Sequence, residues 1–187
     1  MKNVVIFDLE ATCWAEQEHA RKKGNEIIEI GAVRIDKYSS EILDKFDIFV
    51  KPTINPILTE YCINLTTIKQ SDVDTAKYDF KSATSLFNDW LQPTDEHIMS
   101  WGFYDKNQII NESNIKNLYC PLITKLNAKH INMKNQFAYI KKIRPCGMEK
   151  ALKILGLELD GTHHRAIDDV INMVKIYEKF NDSFFNV

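Results

Sequence analysis

Asp8 and Glu10 stand one residue apart at the end of an apolar run, Val4-Val5-Ile6-Phe7. Alternate residues of a strand point to one face, so the two carboxylates project side by side. Like charges held that close repel each other and lose hydration. A divalent cation with oxygen ligands is the natural compensation. Asp105 follows a second apolar stretch, His97-Ile98-Met99-Ser100-Trp101-Gly102. A parallel strand there would bring it to the same sheet edge, where ligands bind in layered α/β folds. His163-His164-Arg165-Ala166-Ile167-Asp168-Asp169 then offers imidazole and carboxylate little more than one helical turn apart. Spacing alone admits His163 with Asp168 as readily as His164 with Asp169. Several carboxylates suit hard cations and make a poor zinc set, which favours His and Cys.

These groups need a sheet to hold them. Residues 2–7 read as a central strand, 26–35 as a second and 41–50 as a third. The short turn between the last two makes an antiparallel meander. Pro52 and Pro56 stop the sheet. A short helix is expected over 57–63, followed by Asn64-Leu65-Thr66-Thr67, and a longer helix over 78–91, where apolar residues recur at helical spacing. Residues 97–102 form a fourth strand, and Asp105 caps a helix over 105–115. A fifth strand falls near 119–126 or at Ile131. Helices over 147–155, closed by Gly156, and over 164–180 complete the chain. The expected fold is α/β: a mixed five-stranded sheet, its first three strands antiparallel, flanked by helices. Residues 15–25 are polar and read as a solvated loop, with Arg21-Lys22-Lys23 as a solvated charge run.

The 187 residues, 44% hydrophobic and 27% charged, suit one domain spanning 1–187 with a full core. A net charge of −2 neither demands nor excludes nucleic acid, since bound cations and a few local basic residues can hold phosphate. No apolar stretch is long enough to span a bilayer, and the chain opens on a strand pattern with no signal peptide. Cys13, Cys62, Cys120 and Cys146 form no C-x-x-C pair, which argues against zinc or a disulfide framework and for the reducing cytoplasm. His19, His97 and His130 read as ordinary residues, and Met148 and Met173 as core.

Taken in order, Asp-x-Glu, then Asp, then His with an Asp five positions on resembles the DEDD superfamily of 3′→5′ exonucleases, in its histidine branch. The wording Phe7-Asp8-Leu9-Glu10-Ala11-Thr12-Cys13-Trp14, with Glu26-Ile27-Ile28-Glu29-Ile30-Gly31 and His163 to Asp169, is most similar to the Eri-type exoribonucleases. The resemblance implies an RNase H-like fold. It implies that Asp8, Glu10, Asp105 and Asp169 hold two Mg²⁺ or Mn²⁺ ions. It prefers His164 as general base, because the motif places its His directly before Arg-Ala-x-Asp-Asp. Single-stranded RNA 3′ ends are the implied partner, with nucleoside 5′-monophosphate as product. Ala11 and Thr12 would meet the terminal sugar, and Leu65 would wedge beside the last base. Trp14, Trp101 and Phe103 are further candidates for stacking, and Glu29 for support from behind the site. Two positions depart from the pattern: Leu65-Thr66-Thr67 replaces Leu-Thr-Gly, and Gly161-Thr162 replaces Gly-Arg. A DNA exonuclease and a non-catalytic nucleic-acid-binding protein are the competing expectations.

Overall fold

The computed structural model describes residues 2–15 and 24–185. The expected α/β architecture is present, with six strands rather than five. In chain order these are β1 (Asn3–Ala11), β2 (Ile27–Asp36), β3 (Ile42–Lys51), α1 (Glu60–Thr66), α2 (Gln70–Asp74), β4 (Tyr78–Asp79), α3 (Phe80–Trp90) and β5 (Asp95–Ser100). There follow α4 (Tyr104–Lys116), α5 (Leu122–Lys129), β6 (His130–Asn132), α6 (Met133–Lys141), α7 (Met148–Leu155), α8 (Ala166–Glu178) and a 3₁₀ turn at Asn181–Phe185. The sheet order is β4-β3-β2-β1-β5-β6. β1, β2 and β3 form the antiparallel meander, while β5 runs parallel to β1 and β6 parallel to β5.

β1 is apolar at successive residues because both of its faces are covered. Val5, Phe7 and Leu9 pack with Phe46, Phe80, Phe87 and Leu122 on one side. Val4 and Ile6 pack with Met99, Phe137, Met173 and Tyr177 on the other. Met148 and Met173 belong to this second core, as expected.

Several boundaries differ from expectation, each for a local reason. The 57–63 helix is displaced to α1, whose first turn is fixed by the Thr59 hydroxyl accepting from Cys62 N at 3.0 Å. Leu65 is therefore helical. The 78–91 segment spends Tyr78 and Asp79 in the sheet, and Asp79 caps α3 by accepting from Ser82 N at 2.9 Å. Asp105 does not cap α4: the helix begins at Tyr104, and its cap residue Phe103 makes no side-chain bond. Residues 122–129 are helix rather than strand, and the edge strand is the three-residue β6 containing Ile131. Helices α2 and α6 were not expected; Asn132 starts α6 by accepting from Asn135 N at 3.0 Å. α8 begins two residues after His164, whose φ of 65° is left-handed and incompatible with helix. All four thiols are free, yet Cys13 and Cys62 share a hydrogen bond. His19, Arg21-Lys22-Lys23 and most of the expected 15–25 loop lie outside the described residues. Among the described residues, no helix is long and apolar enough to cross a membrane.

Candidate active site

β1 outruns its parallel neighbour. Its pairing with β5 ends at Ile6↔Met99, while pairing with β2 continues to Ala11. Asp8, Leu9 and Glu10 therefore have one open edge. Asp105, in the first turn of α4, fills part of it: its carboxylate accepts the Leu9 backbone N–H. A missing ladder partner and a buried acid satisfy each other.

The start of α8 is docked on the far side of β1. Gly31 of β2 pairs with Asp8, and a Cβ there would lie 2.5 Å from both Ala166 C and Ile167 N. Only a residue without a side chain allows this approach. Glu29, fully buried two residues earlier, accepts from Arg165 Nη2 at 2.8 Å and from Ala166 N at 2.9 Å. It thus binds the exposed N–H groups and positive end of α8. Asp169, one turn along, then faces β1. It accepts from His164 N at 3.0 Å, tying the left-handed residue to the helix. Asp168 turns away and accepts from Thr162 N at 2.8 Å. That bond closes a tight turn in which Gly161 has φ 75°.

Asp8, Glu10, Asp105, His164, Asp169 and Trp101 line one cavity of about 520 Å³, together with His163 and Tyr104. Carboxylate oxygens of Asp8, Glu10 and Asp169 lie within 4.8 Å of one another. Asp169 also lies within that range of both His163 and His164, whose ring centroids are 4.0 Å apart. Burial raises every one of these acids, and their mutual repulsion adds to it. Asp8 is held well above the usual carboxylate range by burial and then by Asp105 and Glu10. Glu10 is pushed up to about 9, by burial and then by Asp169. Asp105 and Asp169 rise to about 6, chiefly through burial. His164 moves down, through burial and the neighbouring His163.

This donor set fits divalent cations. Among the described residues, no lysine or arginine forms an ion pair with any of the four acids. Asp169 Oδ1 is buried without a hydrogen-bond partner. Clustered hard oxygens and an orphaned buried acceptor are what Mg²⁺ or Mn²⁺ would satisfy.

The remaining expected contacts are not brought into the cavity. Ala11 and Trp14 are buried, and Leu65 is half-buried on α1. Thr12 is tied to β2, its hydroxyl accepting from Glu26 N at 2.9 Å and its N–H donating to Glu26 O at 2.8 Å. Phe103 is exposed against the His130 ring. Trp101 does line the cavity, its indole N–H donating to Cys146 O at 3.0 Å. Sequence reasoning missed Tyr104, and also Gly147 to Lys150, where the first turn of α7 enters the cavity. It also missed the close approach at Gly31, although a glycine inside a run of branched residues is the usual signal for one.

Three comparisons bear on this arrangement. ERI1 exoribonuclease 2 of Xenopus laevis is 31% identical over 92% of the chain, which spans 27% of that protein. The 3′-5′ exoribonuclease 1 of Rattus norvegicus is also 31% identical, over 92% of the chain and 51% of its own length. The chain thus spans between about a quarter and a half of these two relatives. The crystal structure of the nuclease domain of 3′hExo, a DEDDh family member bound to rAMP, superposes with a TM-score of 0.84 at 28% identity. That match covers 96% of this chain and 91% of that one. The model of the RNase_T exonuclease family matches residues 5–177, from the second apolar residue of β1 to the last turn of α8. Every element that surrounds the carboxylates falls within that match, and the chain belongs to this exonuclease family.

Proposed function

We propose that residues 1–187 act as one metal-dependent 3′→5′ exoribonuclease domain, removing nucleoside 5′-monophosphates from single-stranded RNA 3′ ends. One observation carries the reading. Asp8, Glu10 and Asp169 converge within 4.8 Å in a cavity shared with Asp105 and His164, uncompensated by any basic ion-pair partner among the described residues. The named activities of the relatives support it, as does the bound rAMP of the neighbouring structure. Asp8, Glu10, Asp105 and Asp169 would hold two Mg²⁺ or Mn²⁺ ions. Such ions supply Lewis-acid polarisation of the phosphate and a water acidic enough to attack it at neutral pH.

The chain's own residues then have separable tasks. His164 is the general base: its lowered pKa leaves the imidazole neutral at working pH and able to accept the proton of the attacking water. Its backbone bond to Asp169 holds base and carboxylate in register. His163, whose ring lies tilted against it, contributes to keeping it unprotonated. Trp101 offers the terminal base an apolar wall. Ala11, Thr12, Leu65 and Phe103 lie outside the cavity lining, and their contact with the sugar and last base is what the family resemblance implies. The reducing cytoplasm suits the four free thiols.

The test is a time course on 5′-labelled RNA with Mg²⁺, with Mn²⁺ and with EDTA, run beside a DNA oligonucleotide of matched sequence. A ladder shortening from the 3′ end, abolished by EDTA and faster on RNA, is the expected result. Undegraded RNA, or decay indifferent to EDTA, would overturn the reading; faster decay of DNA would reassign the substrate.

A further inference from the structure

Behind Asp105 lies a polar chain that the roles above leave unused. Ser100, the last residue of β5, is fully buried. Its hydroxyl has three neighbours: Gly102 O at 3.1 Å, His130 Nε2 at 2.9 Å, and the Asp105 carboxylate, to which it hydrogen-bonds. His130 begins β6, directly beside Ile98 of β5, with its ring between Phe7 and Phe103 at centroid distances of 6.2 and 5.8 Å.

Donor counting orders these contacts. A carbonyl and a carboxylate only accept, so His130 is the one neighbour able to donate to Ser100 Oγ. The ring is neutral, its pKa driven down to about 4 by burial and by Lys106. It therefore carries a single N–H. His130 Nδ1 is buried with no hydrogen-bond partner. A proton there would be an orphaned donor, so the N–H belongs on Nε2. The single Ser100 proton is then shared between Gly102 O and Asp105, and an ionised carboxylate wins such a competition.

We propose that Ser100 and His130 are positioning residues for Asp105, linked as His130 Nε2–H to Ser100 Oγ and Ser100 O–H to the carboxylate. Together with the Leu9 N–H, this chain fixes which lone pairs of Asp105 remain for a divalent cation. The inference rests on Asp105 being a metal ligand, as proposed above. Groups that orient a ligand from behind set its affinity for the ion, and removing one typically costs about 10–100-fold.

Three variants test it: Ser100→Ala, His130→Phe and His130→Gln. Phenylalanine keeps a ring between Phe7 and Phe103 but has no N–H; glutamine restores a donor. Mn²⁺ binding is measured by calorimetry on the intact protein, alongside the metal-free melting temperature and RNA decay. Ser100→Ala and His130→Phe should weaken Mn²⁺ binding about tenfold or more. His130→Phe should keep a metal-free melting temperature near wild type, and His130→Gln should recover part of the affinity. The rate at saturating Mn²⁺ should recover more than the rate at limiting Mn²⁺. Affinities within twofold of wild type for both Ser100→Ala and His130→Phe would overturn the inference while leaving the nuclease reading intact. A wild-type protein that binds no Mn²⁺ would overturn the metal reading and this inference with it.

Discussion

Two groups of buried carboxylates each draw a member from α4, Glu112 in one and Asp105 in the other, and they are compensated in different ways. Glu26 and Glu112 share Lys116, at 2.7 and 2.9 Å, and all three side chains are under a tenth exposed. Glu26 also accepts the N–H groups of Thr53, Ile54 and Asn55, while Glu112 accepts that of Ile27. Lys116 and these amides hold Glu26 below the usual carboxylate range despite its burial, while burial keeps Glu112 above it in spite of the same lysine. Asp8, Glu10, Asp105 and Asp169 have few such donors and no basic ion-pair partner among the described residues, and all four are raised. Burying acids is therefore not itself the signature of a site. What distinguishes the second group is that its compensation is not built into the chain.

Substitutions should separate the two groups. The largest effect is expected from Asp8→Asn: RNA decay should fall by more than about 100-fold, beyond the range for residues one step removed from an ion. Asparagine replaces a carboxyl whose ionisation burial and acidic neighbours oppose, so it should at the same time raise the metal-free melting temperature, and a fall measured by calorimetry would contradict the comparison. Glu26→Gln should do the reverse. Losing half of a buried pair costs about 3–5 kcal/mol, to be read by urea unfolding, with activity per folded molecule unchanged.

Gly31→Ala should cost about 1–3 kcal/mol, because the methyl meets the α8 backbone rather than a movable side chain. It should also weaken Mn²⁺ binding, since α8 carries Asp169. Normal metal affinity in a destabilised Gly31→Ala protein would show that α8 need not dock there.

The smallest effect is one of pH. An acid with a raised folded pKa binds more protons folded than unfolded, so stability falls as pH rises between the two values. Between pH 7 and 8.5 the histidines no longer contribute, because their unfolded pKa is about 6.5. Glu10, at about 9, still retains its proton there when folded, and burial and its acidic neighbours shift Asp8 in the same direction. Cys62, drawn to about 7 by Cys13, opposes them with at most one proton. With Asp8 adding to Glu10, metal-free protein should lose stability as pH rises across this window. Saturating Mn²⁺ should remove the slope; a flat metal-free profile would remove the contrast between the two groups.

How much of this was legible depended on how far each residue's role was local. The meander, α7 with Gly156, and the order of Asp8, Glu10, Asp105 and Asp169 could be read because strand alternation and motif spacing are written in adjacent residues. β4 and β6, of two and three residues, are too short for any period to show. Asp105 looked like a cap because Asp commonly caps helices, but Leu9 and Ser100 hold its carboxylate instead. Asp168 and Asp169 were indistinguishable by spacing; Thr162, which occupies Asp168, and His164, which binds Asp169, tell them apart only in three dimensions. The ordinary standing expected for His130 overlooked Ser100, which is 30 residues away in the chain.

The half-paired end of β1 has a consequence beyond the chemistry of the site. An open strand edge is a template on which a second chain can add a strand and seed aggregation. Here that edge presents Asp8 and Glu10, and one of its free amides is already taken by Asp105. An incoming strand would have to displace that carboxylate and enter a field of like charge. The acids placed to hold a cation would thus also deter a second copy of this chain from adding a strand at that edge.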